Sequence, residues 1–206
     1  TFGTTTLTSS GDYDIFVAQL DSFGNWLWAK KAGGTNYDWC NSIAVDTNGN
    51  SYVTGDFRGS ATFGSTILTS DSDNYEEILI AKLDSNGNWL WAKQAGGISG
   101  DKGYSIAVDA YGNSYITGYF RESATFGTTT LTSSSDYGSD IFVAKLDING
   151  NWLWAKQAGG TDYDDGYSIA VDVNGNSYVT GYFYGSATFG TTTLTSSSDY
   201  GSDIFV

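Results

Sequence analysis

Short apolar runs separated by polar turns recur along the whole chain. Ile141–Leu146 is an almost continuous apolar run, which is typical of a strand buried on both faces. The polar segment 147–151 separates it from the apolar residues Trp152–Lys156, so the pattern predicts a β-hairpin. Tyr167–Val171 and Ser177–Tyr182 flank a similar polar segment and predict a second hairpin.

A single turn motif, Asp-x-x-Gly-Asn, stands between the apolar runs six times. Its Gly supplies the positive φ of a type I turn with a G1 bulge, and its Asp can accept hydrogen bonds from backbone N–H groups of the turn. The predicted turn residues are Asp21 and Gly24, Asp46 and Gly49, Asp84 and Gly87, Asp109 and Gly112, Asp147 and Gly150, and Asp172 and Gly175. Between hairpins, the Ser/Thr-rich segment 124–139 contains Phe126 and Leu131, which predict a small extra ribbon.

The whole pattern repeats with a period of 63 residues, because Gly-Asn-Trp-Leu-Trp begins at Gly24, Gly87 and Gly150. The predicted repeats are 1–61, which starts within a structural unit, 62–124, 125–187, and the opening of a fourth copy at 188–206. Residues 125–143 and 188–206 are identical. We therefore expect the chain to be a window of a longer tandem array.

Each period contains two hairpins, and thus four strands. Asp outnumbers Glu 20 to 3 and no amphipathic helix is visible, which favours strands and turns. Four antiparallel strands per tandem repeat are typical of a β-propeller blade. The sequence predicts an all-β fold of tandem four-stranded antiparallel blades.

The consensus of the period is specific enough to compare with a family. Asp-Ile-Phe-Val-Ala-Lys-Leu-Asp, Gly-Asn-Trp-Leu-Trp, Ala-Gly-Gly, Ser-Ile-Ala-Val-Asp and Gly-Asn-Ser-Tyr-Val-Thr-Gly resemble the bacterial "seven-bladed β-propeller" (SBBP) repeat. That resemblance covers the chain in phase. It implies a propeller fold and an extracellular or cell-surface location in a bacterium, and it implies no activity.

The Trp residues occur in pairs two residues apart, so both members of a pair are predicted to lie on one face of their strand. That face is predicted to pack between blades. The pairs are Trp26 with Trp28, Trp89 with Trp91, and Trp152 with Trp154. Their turn-and-strand sequence also resembles the tryptophan-docking motif of quinoprotein propellers, in which a Trp four residues after the turn Gly wedges between blades. The alternative is a carbohydrate-binding platform.

Composition excludes several classes of chemistry. The chain has no His and one Cys, Cys40, which argues against His-assisted nucleophilic catalysis, an intrachain disulfide and a thiolate zinc site. The net charge of −14 argues against nucleic-acid binding and attachment to anionic membranes, and no apolar run is long enough for a membrane span. We expect no cofactor and no confidently assignable metal.

Two sets of residues remain as candidate ligand contacts. Asp38, Asp101 and Asp164 occupy the same place in three Gly-Gly loops and could form a carboxylate ring that binds calcium, although each could instead cap its own loop. Asp162 and Asp165 add charge in the last copy. The aromatic candidates for a glycan site are Tyr37, Trp39, Tyr104, Tyr163 and Tyr167, and core or rim packing is the alternative for each.

Three functions are compatible with the sequence. The favoured one is a non-catalytic extracellular or cell-surface structural and interaction protein, whose partners are other copies of the repeat, surface proteins or glycans. The second is a lectin-like propeller. The third, a carboxylate-based enzyme, is disfavoured because no Asp or Glu pair stands in a setting that predicts a raised pKa.

Overall fold

The computed structural model describes residues 1–71, 74–134, 137–197 and 201–206, in which all regular structure is β. The strands of these ranges are β1 (Ile15–Leu20), β2 (Trp26–Gly34), β3 (Asp38–Val45), β4 (Ser51–Phe57), β5 (Ser60–Phe63), β6 (Thr66–Thr69), β7 (Glu77–Leu83), β8 (Trp89–Ala95), β9 (Lys102–Val108), β10 (Ser114–Phe120), β11 (Ser123–Phe126), β12 (Thr129–Thr132), β13 (Asp140–Leu146), β14 (Trp152–Ala158), β15 (Asp164–Val171), β16 (Ser177–Tyr184), β17 (Ser186–Phe189), β18 (Thr192–Thr195) and β19 (Ser202–Phe205). Within the same ranges, no helix has the length and apolarity that crossing a membrane requires.

The strands form consecutive antiparallel blades. The second blade has the order β3-β4-β7-β8 and the third has the order β9-β10-β13-β14. The first blade contributes the pair β1 and β2, and the fourth contributes β15-β16-β19. The prediction of tandem four-stranded antiparallel blades is confirmed. The sheets of the second and third blades each take their first two strands from one predicted repeat and their last two from the next, whereas β2 of the first blade pairs with the ribbon strand β5.

The hydrophobic core lies between blades, and strand β7 shows why most of its residues, Ile78–Ala81 and Leu83, are apolar. All seven residues of β7 are buried. Leu79 packs toward Ile15 and Val17 of the first blade, whereas Ile80 packs toward Phe142 of the third. A strand with a blade on either side needs apolar side chains on both faces.

A two-stranded ribbon links each blade to the one before it. The Ser/Thr-rich segments form β5 with β6, β11 with β12, and β17 with β18, as predicted from Phe126 and Leu131. The backbones of Gly96 and Thr125 exchange two hydrogen bonds, which join the ribbon of the third blade to the end of β8 in the second. The adjacent Gly97 allows this approach, because a Cβ there would lie 2.2 Å from the carbonyl oxygen of Ser123.

The prediction that both members of a Trp pair lie on one face of their strand is wrong, because a β-bulge interrupts the strand between the two residues. In the second blade, Lys82 pairs with Trp91 and Leu83 pairs with Trp89, so Leu90 is an extra residue. The bulge turns Trp89 toward the first blade and Trp91 toward the third. Matching register shifts separate Trp26 from Trp28 in β2 and Trp152 from Trp154 in β14.

Candidate functional site

The six Asp-x-x-Gly-Asn turns share one geometry. In the turn after β9, Asp109 Oδ1 accepts hydrogen bonds from the backbone N–H groups of Tyr111 and Asn113, each at 2.9 Å, and Oδ2 accepts one from Asn113 Nδ2 at 2.8 Å. Gly112 has a φ of 80°, and the other five turn glycines lie between 79° and 84°. Burial opposes ionisation of Asp109, but these hydrogen bonds hold its pKa below the ordinary value. The turn carboxylates are therefore engaged in holding the turns.

The second Trp of each motif reaches the turn of the following blade. Trp91 Nε1 donates to the carbonyl oxygen of Ile148 at 3.2 Å, and Trp28 Nε1 donates to that of Ser85 at 3.1 Å. The turn glycine makes room, since a Cβ on Gly150 would lie 2.9 Å from the Trp91 ring. Trp154 lines an open cavity at the equivalent position.

The first Trp of each motif contacts the ribbon of its own blade. The rings of Phe2 and Trp26, of Phe63 and Trp89, and of Phe126 and Trp152 meet edge to face with centroids 5.0 to 5.3 Å apart. These contacts account for the six Trp residues singled out in the sequence by packing within and between blades.

The Gly-Gly loop carboxylates lie buried, each in its own loop. Asp101 accepts hydrogen bonds from the backbone N–H groups of Gly97 and Arg121, each at 2.9 Å. Asp164 accepts from Gly160 and Tyr184, and Asp38 accepts from Gly34. Among the described residues, no group of three or more acidic or Cys side chains is placed to hold a metal ion.

Each of these carboxylates instead faces one acidic partner that the sequence analysis did not pair with it. A Cβ at Gly96 would lie 2.8 Å from Asp101 Oδ2 and 2.9 Å from Glu77 Cγ. Asp14 and Asp140 occupy the place of Glu77 beside Asp38 and Asp164. The sequence signal was available, because an acidic residue begins the third strand of every copy.

The expectation that no acidic pair has a raised pKa is wrong. Burial, reinforced by the charge of Glu77, raises the pKa of Asp101 to about 8, while its two amide donors act in the opposite direction. Burial raises the pKa of Glu77 to about 7 and those of Asp38 and Asp164 to about 6. These pairs are enclosed by backbone.

A further bulge places one side chain of each first strand at the end of the blade that carries the Gly-Gly loops. Cys40 pairs with Gly55 and Ser42 pairs with Thr54, which leaves Asn41 as the extra residue of β3. Tyr104 and Tyr167 are the equivalent bulge residues of β9 and β15. A bulge of this kind changes the direction in which a side chain points. Here the rings of Tyr104 and Tyr167 stack, with centroids 5.0 Å apart.

The aromatic candidates form two clusters at this end of the blades. Tyr104 and Tyr167 belong to one, which extends through Tyr119 and Tyr182 and lies near Tyr163 through the Arg121 guanidinium. In the other, Tyr13 stacks on Tyr37 at 5.5 Å and contacts Trp39 at 5.4 Å.

Charged residues accompany the aromatic rings. Arg58 Nη2 donates to Glu76 Oε1, and Lys102 Nζ lies 3.4 Å from the same oxygen and 3.6 Å from Asp56 Oδ2. Asn41 Nδ2 donates to Asp56 Oδ1 at 3.1 Å. Asp56, Arg58, Glu76 and Lys102 were not predicted from the sequence, because three separate segments bring them together.

The copies differ from one another at these positions, among others along the period. We define the variable face as the residues at positions 37, 39, 41, 56, 58 and 76 with their equivalents one and two periods later. Successive copies carry Tyr37, Gly100 and Tyr163; Trp39, Lys102 and Asp165; Asn41, Tyr104 and Tyr167; Asp56, Tyr119 and Tyr182; Arg58, Arg121 and Tyr184; Glu76, Ser139 and Ser202. The turn Asp and Gly residues and both Trp positions, by contrast, are identical in the three copies.

Comparisons with known proteins agree with this architecture. The family model of the β-propeller repeat SBBP matches residues 27–56, 90–119 and 153–182. The chain is 27% identical over 206 residues to an uncharacterized WD repeat-containing protein of Acanthamoeba polyphaga mimivirus, covering 87% of this chain and 14% of that protein. It is 25% identical over 177 residues to the regulatory protein FlaEY of Caulobacter vibrioides, covering 83% of this chain and 18% of that protein. The chain thus spans less than a fifth of the length of either relative.

Proposed function

The chain belongs to the SBBP β-propeller repeat family, and from this premise we propose that it is a non-catalytic interaction protein that binds its partner through the variable face. One observation carries the proposal. The copies keep the same turn Asp and Gly residues and the same Trp pairs, yet they place different aromatic and charged side chains at one end of the blades. Exposed residues positioned by a rigid scaffold are typical of binding surfaces.

The carboxylates support the non-catalytic part of the proposal. Without His, Asp101 and Glu77 are the carboxylates whose raised pKa values best suit general acid–base work near neutral pH, and both are buried. The turn Asp residues accept hydrogen bonds from their own turns, and Asp101 and Asp164 accept bonds from two backbone N–H groups each. Carboxylates that are engaged in these hydrogen bonds stabilise the turns and loops, which favours a structural role for them.

Other copies of the repeat are proposed as further partners. Between the third and fourth blades, an open cavity of about 460 Å³ is lined by apolar side chains that include Trp154, Val179 and Phe205. At the junction of the second and third blades, Trp91 docks on the turn that leads into the outer strand β14 of the following blade. A further copy of the repeat, from the same or a neighbouring chain, could supply the strand that fills this cavity.

An extracellular or cell-surface location is part of the same proposal. It rests on the resemblance of the repeat and on the strongly acidic composition, with a net charge of −14. Brief protease treatment of intact source cells should remove the protein, and protection until the cells are lysed would contradict this location.

The binding role can be tested by exchanging residues between copies. Trp39→Lys, Asn41→Tyr and Asp56→Tyr together give the first copy the residues of the second, which already occupy the same structural positions as Lys102, Tyr104 and Tyr119. The control exchanges Thr47→Ala and Asn48→Tyr at the opposite end of β3, again using residues of the second copy, Ala110 and Tyr111.

Both variants and the unchanged chain are applied to an array of immobilised oligosaccharides and peptides. We expect the unchanged chain and the control to bind the same spots and the face variant to lose at least about tenfold in affinity, as is typical when contact residues are exchanged. Equal binding by all three proteins, or binding by none, would contradict the proposal. Mass spectra of the bound molecules should stay unchanged on incubation, and new products would overturn the non-catalytic part.

A further inference from the structure

One part of the variable face forms a pocket. Tyr37, Trp39, Arg58, Glu76 and Lys102 line an open cavity of about 310 Å³ between the second and third blades. This volume is at the lower end of the range of about 300–1,000 Å³ for ligand sites. It suits a small ligand or the end of a larger one.

The aromatic wall of the pocket is open to solvent. Tyr37 is 38% exposed and Trp39 is 49% exposed, while Tyr13 contacts both rings from the side. Clustered exposed apolar residues commonly mark binding sites. The negative face of an aromatic ring also attracts the weakly positive C–H bonds on the flat side of a pyranose.

The polar wall is nearly neutral and offers both hydrogen-bond donors and an acceptor. Arg58, Glu76 and Lys102 line the cavity, and Asp56 lies buried behind Lys102. The charges of Arg58 and Lys102 are balanced by those of Glu76 and Asp56. A ligand whose polar groups both donate and accept would suit this wall.

From these features we propose that the pocket binds a neutral saccharide. One pyranose ring lies against Trp39 or Tyr37, and its hydroxyl groups accept from Arg58 or Lys102 and donate to Glu76. A hydroxyl suits this lining because it is both a donor and an acceptor. The balanced charges disfavour an anionic ligand. This inference rests on the proposed binding function and specifies its ligand class.

The next junction provides an internal comparison. The residues equivalent to the pocket lining are Gly100, Lys102, Arg121, Ser139 and Asp165, which lack both aromatic rings. There Ser139 Oγ and Tyr182 Oη donate to the two oxygens of Asp165 at 2.8 and 3.0 Å. The pocket is therefore a property of one junction, and substitutions in it can be compared with substitutions elsewhere on the variable face.

The test titrates the full chain by calorimetry with the methyl glycosides of glucose, galactose, mannose and N-acetylglucosamine, with glucuronate as the anionic control. Trp39→Lys installs the residue of the second copy, Trp39→Tyr keeps a ring, and Tyr111→Asn removes an exposed ring at the opposite end of the blade. We expect at least one neutral glycoside to bind, Trp39→Lys to weaken it at least about tenfold, Trp39→Tyr to weaken it less than Trp39→Lys does, and Tyr111→Asn to change it less than about threefold.

Two results would overturn the saccharide inference. One is the absence of heat with every neutral glycoside at about 10 mM, beyond the range of useful affinity. The other is equal binding by the unchanged chain and Trp39→Lys. If peptides on the array bind the chain and the three-residue face variant loses them, the binding function stands and only the saccharide inference fails.

Discussion

Trp91 and Trp154 allow the docking of one blade on the next to be measured within a single chain. Both follow the same turn motif and both meet a Tyr edge to face, with centroids 6.1 Å apart for Tyr52 and Trp91 and 6.2 Å apart for Tyr115 and Trp154. Trp91 also lies on Gly150 and donates to Ile148, whereas Trp154 faces an open cavity. Comparing Trp91→Ala with Trp154→Ala therefore isolates the interblade contact.

The contacts set the size of the expected difference. Trp91→Ala should lower the free energy of unfolding by about 3 kcal/mol. This value is at the low end of the range for truncation of a buried Trp, because the Trp91 ring is half-buried. The lost N–H···O bond accounts for about 1 kcal/mol of this. Trp154→Ala should cost about 1 kcal/mol, mainly the loss of its contact with Tyr115. For a chain of this length, these losses correspond to falls in Tm of about 6–12 °C and 2–4 °C.

Thermal melts followed by circular dichroism, with urea unfolding as a second measure, would give both values. The central result is the difference of about 2 kcal/mol between the two variants. Equal losses would show that the turn of the third blade adds nothing to the anchoring of Trp91, and the docking account would then be refuted.

The remaining predictions concern the carboxylates. Asp109→Ala removes the acceptor of the Tyr111, Asn113 and Tyr115 hydrogen bonds and should cost about 2 kcal/mol in urea unfolding, and a loss below about 0.5 kcal/mol would contradict its role in the turn. Because the folded pKa of Asp101 is raised to about 8, the stability linked to this group is fully present below its unfolded pKa near 3.8 and is lost as the pH rises through 8. Turn residues such as Asp109 have lowered pKa values and lose their contribution as the pH falls below about 4, so Tm should be highest near pH 4–5. Asp101→Asn should flatten the decline in Tm between pH 5 and about pH 8, and an unchanged slope would count against the assignment. Millimolar calcium should move Tm by less than about 1 °C relative to a chelator, whereas a larger rise would indicate a cation between Asp14 and Asp38, whose buried Oδ1 atoms lack hydrogen-bond partners.

Local sequence patterns were sufficient for the strands, turns and ribbons. The turn motif fixes the hairpins because Gly112 and its equivalents alone tolerate a φ near 80° without strain. The apolar run Ile141–Leu146 identifies a strand between two other blades, and β13 spans Asp140–Leu146 in the structure. The turn motif and the apolar runs both recur with the 63-residue period, so each copy supports the assignment made in the others.

Assigning side chains to strand faces by counting alternate residues gave the wrong result where a bulge shifts the register. The face of Trp91 depends on Leu90 being an extra residue opposite β7, and period-two counting assumes an uninterrupted strand. The pairing of Glu77 with Asp101 was missed because the two residues are 24 positions apart and meet only through the Gly-Gly loop. The pocket residues come from several segments of two blades, and the signal that could have found them is the contrast between copies at each position.

The offset between sequence repeat and sheet has a consequence for the way such a chain can lengthen. The sheets of the second, third and fourth blades each combine strands of two successive repeats, and Trp28 and Trp91 meet the same kind of turn. Insertion or deletion of 63 residues at any point in the period would therefore recreate an existing junction and leave no mismatched seam. Gene duplication can then alter the number of blades freely, while point substitutions on the variable face give each new copy its own chemistry.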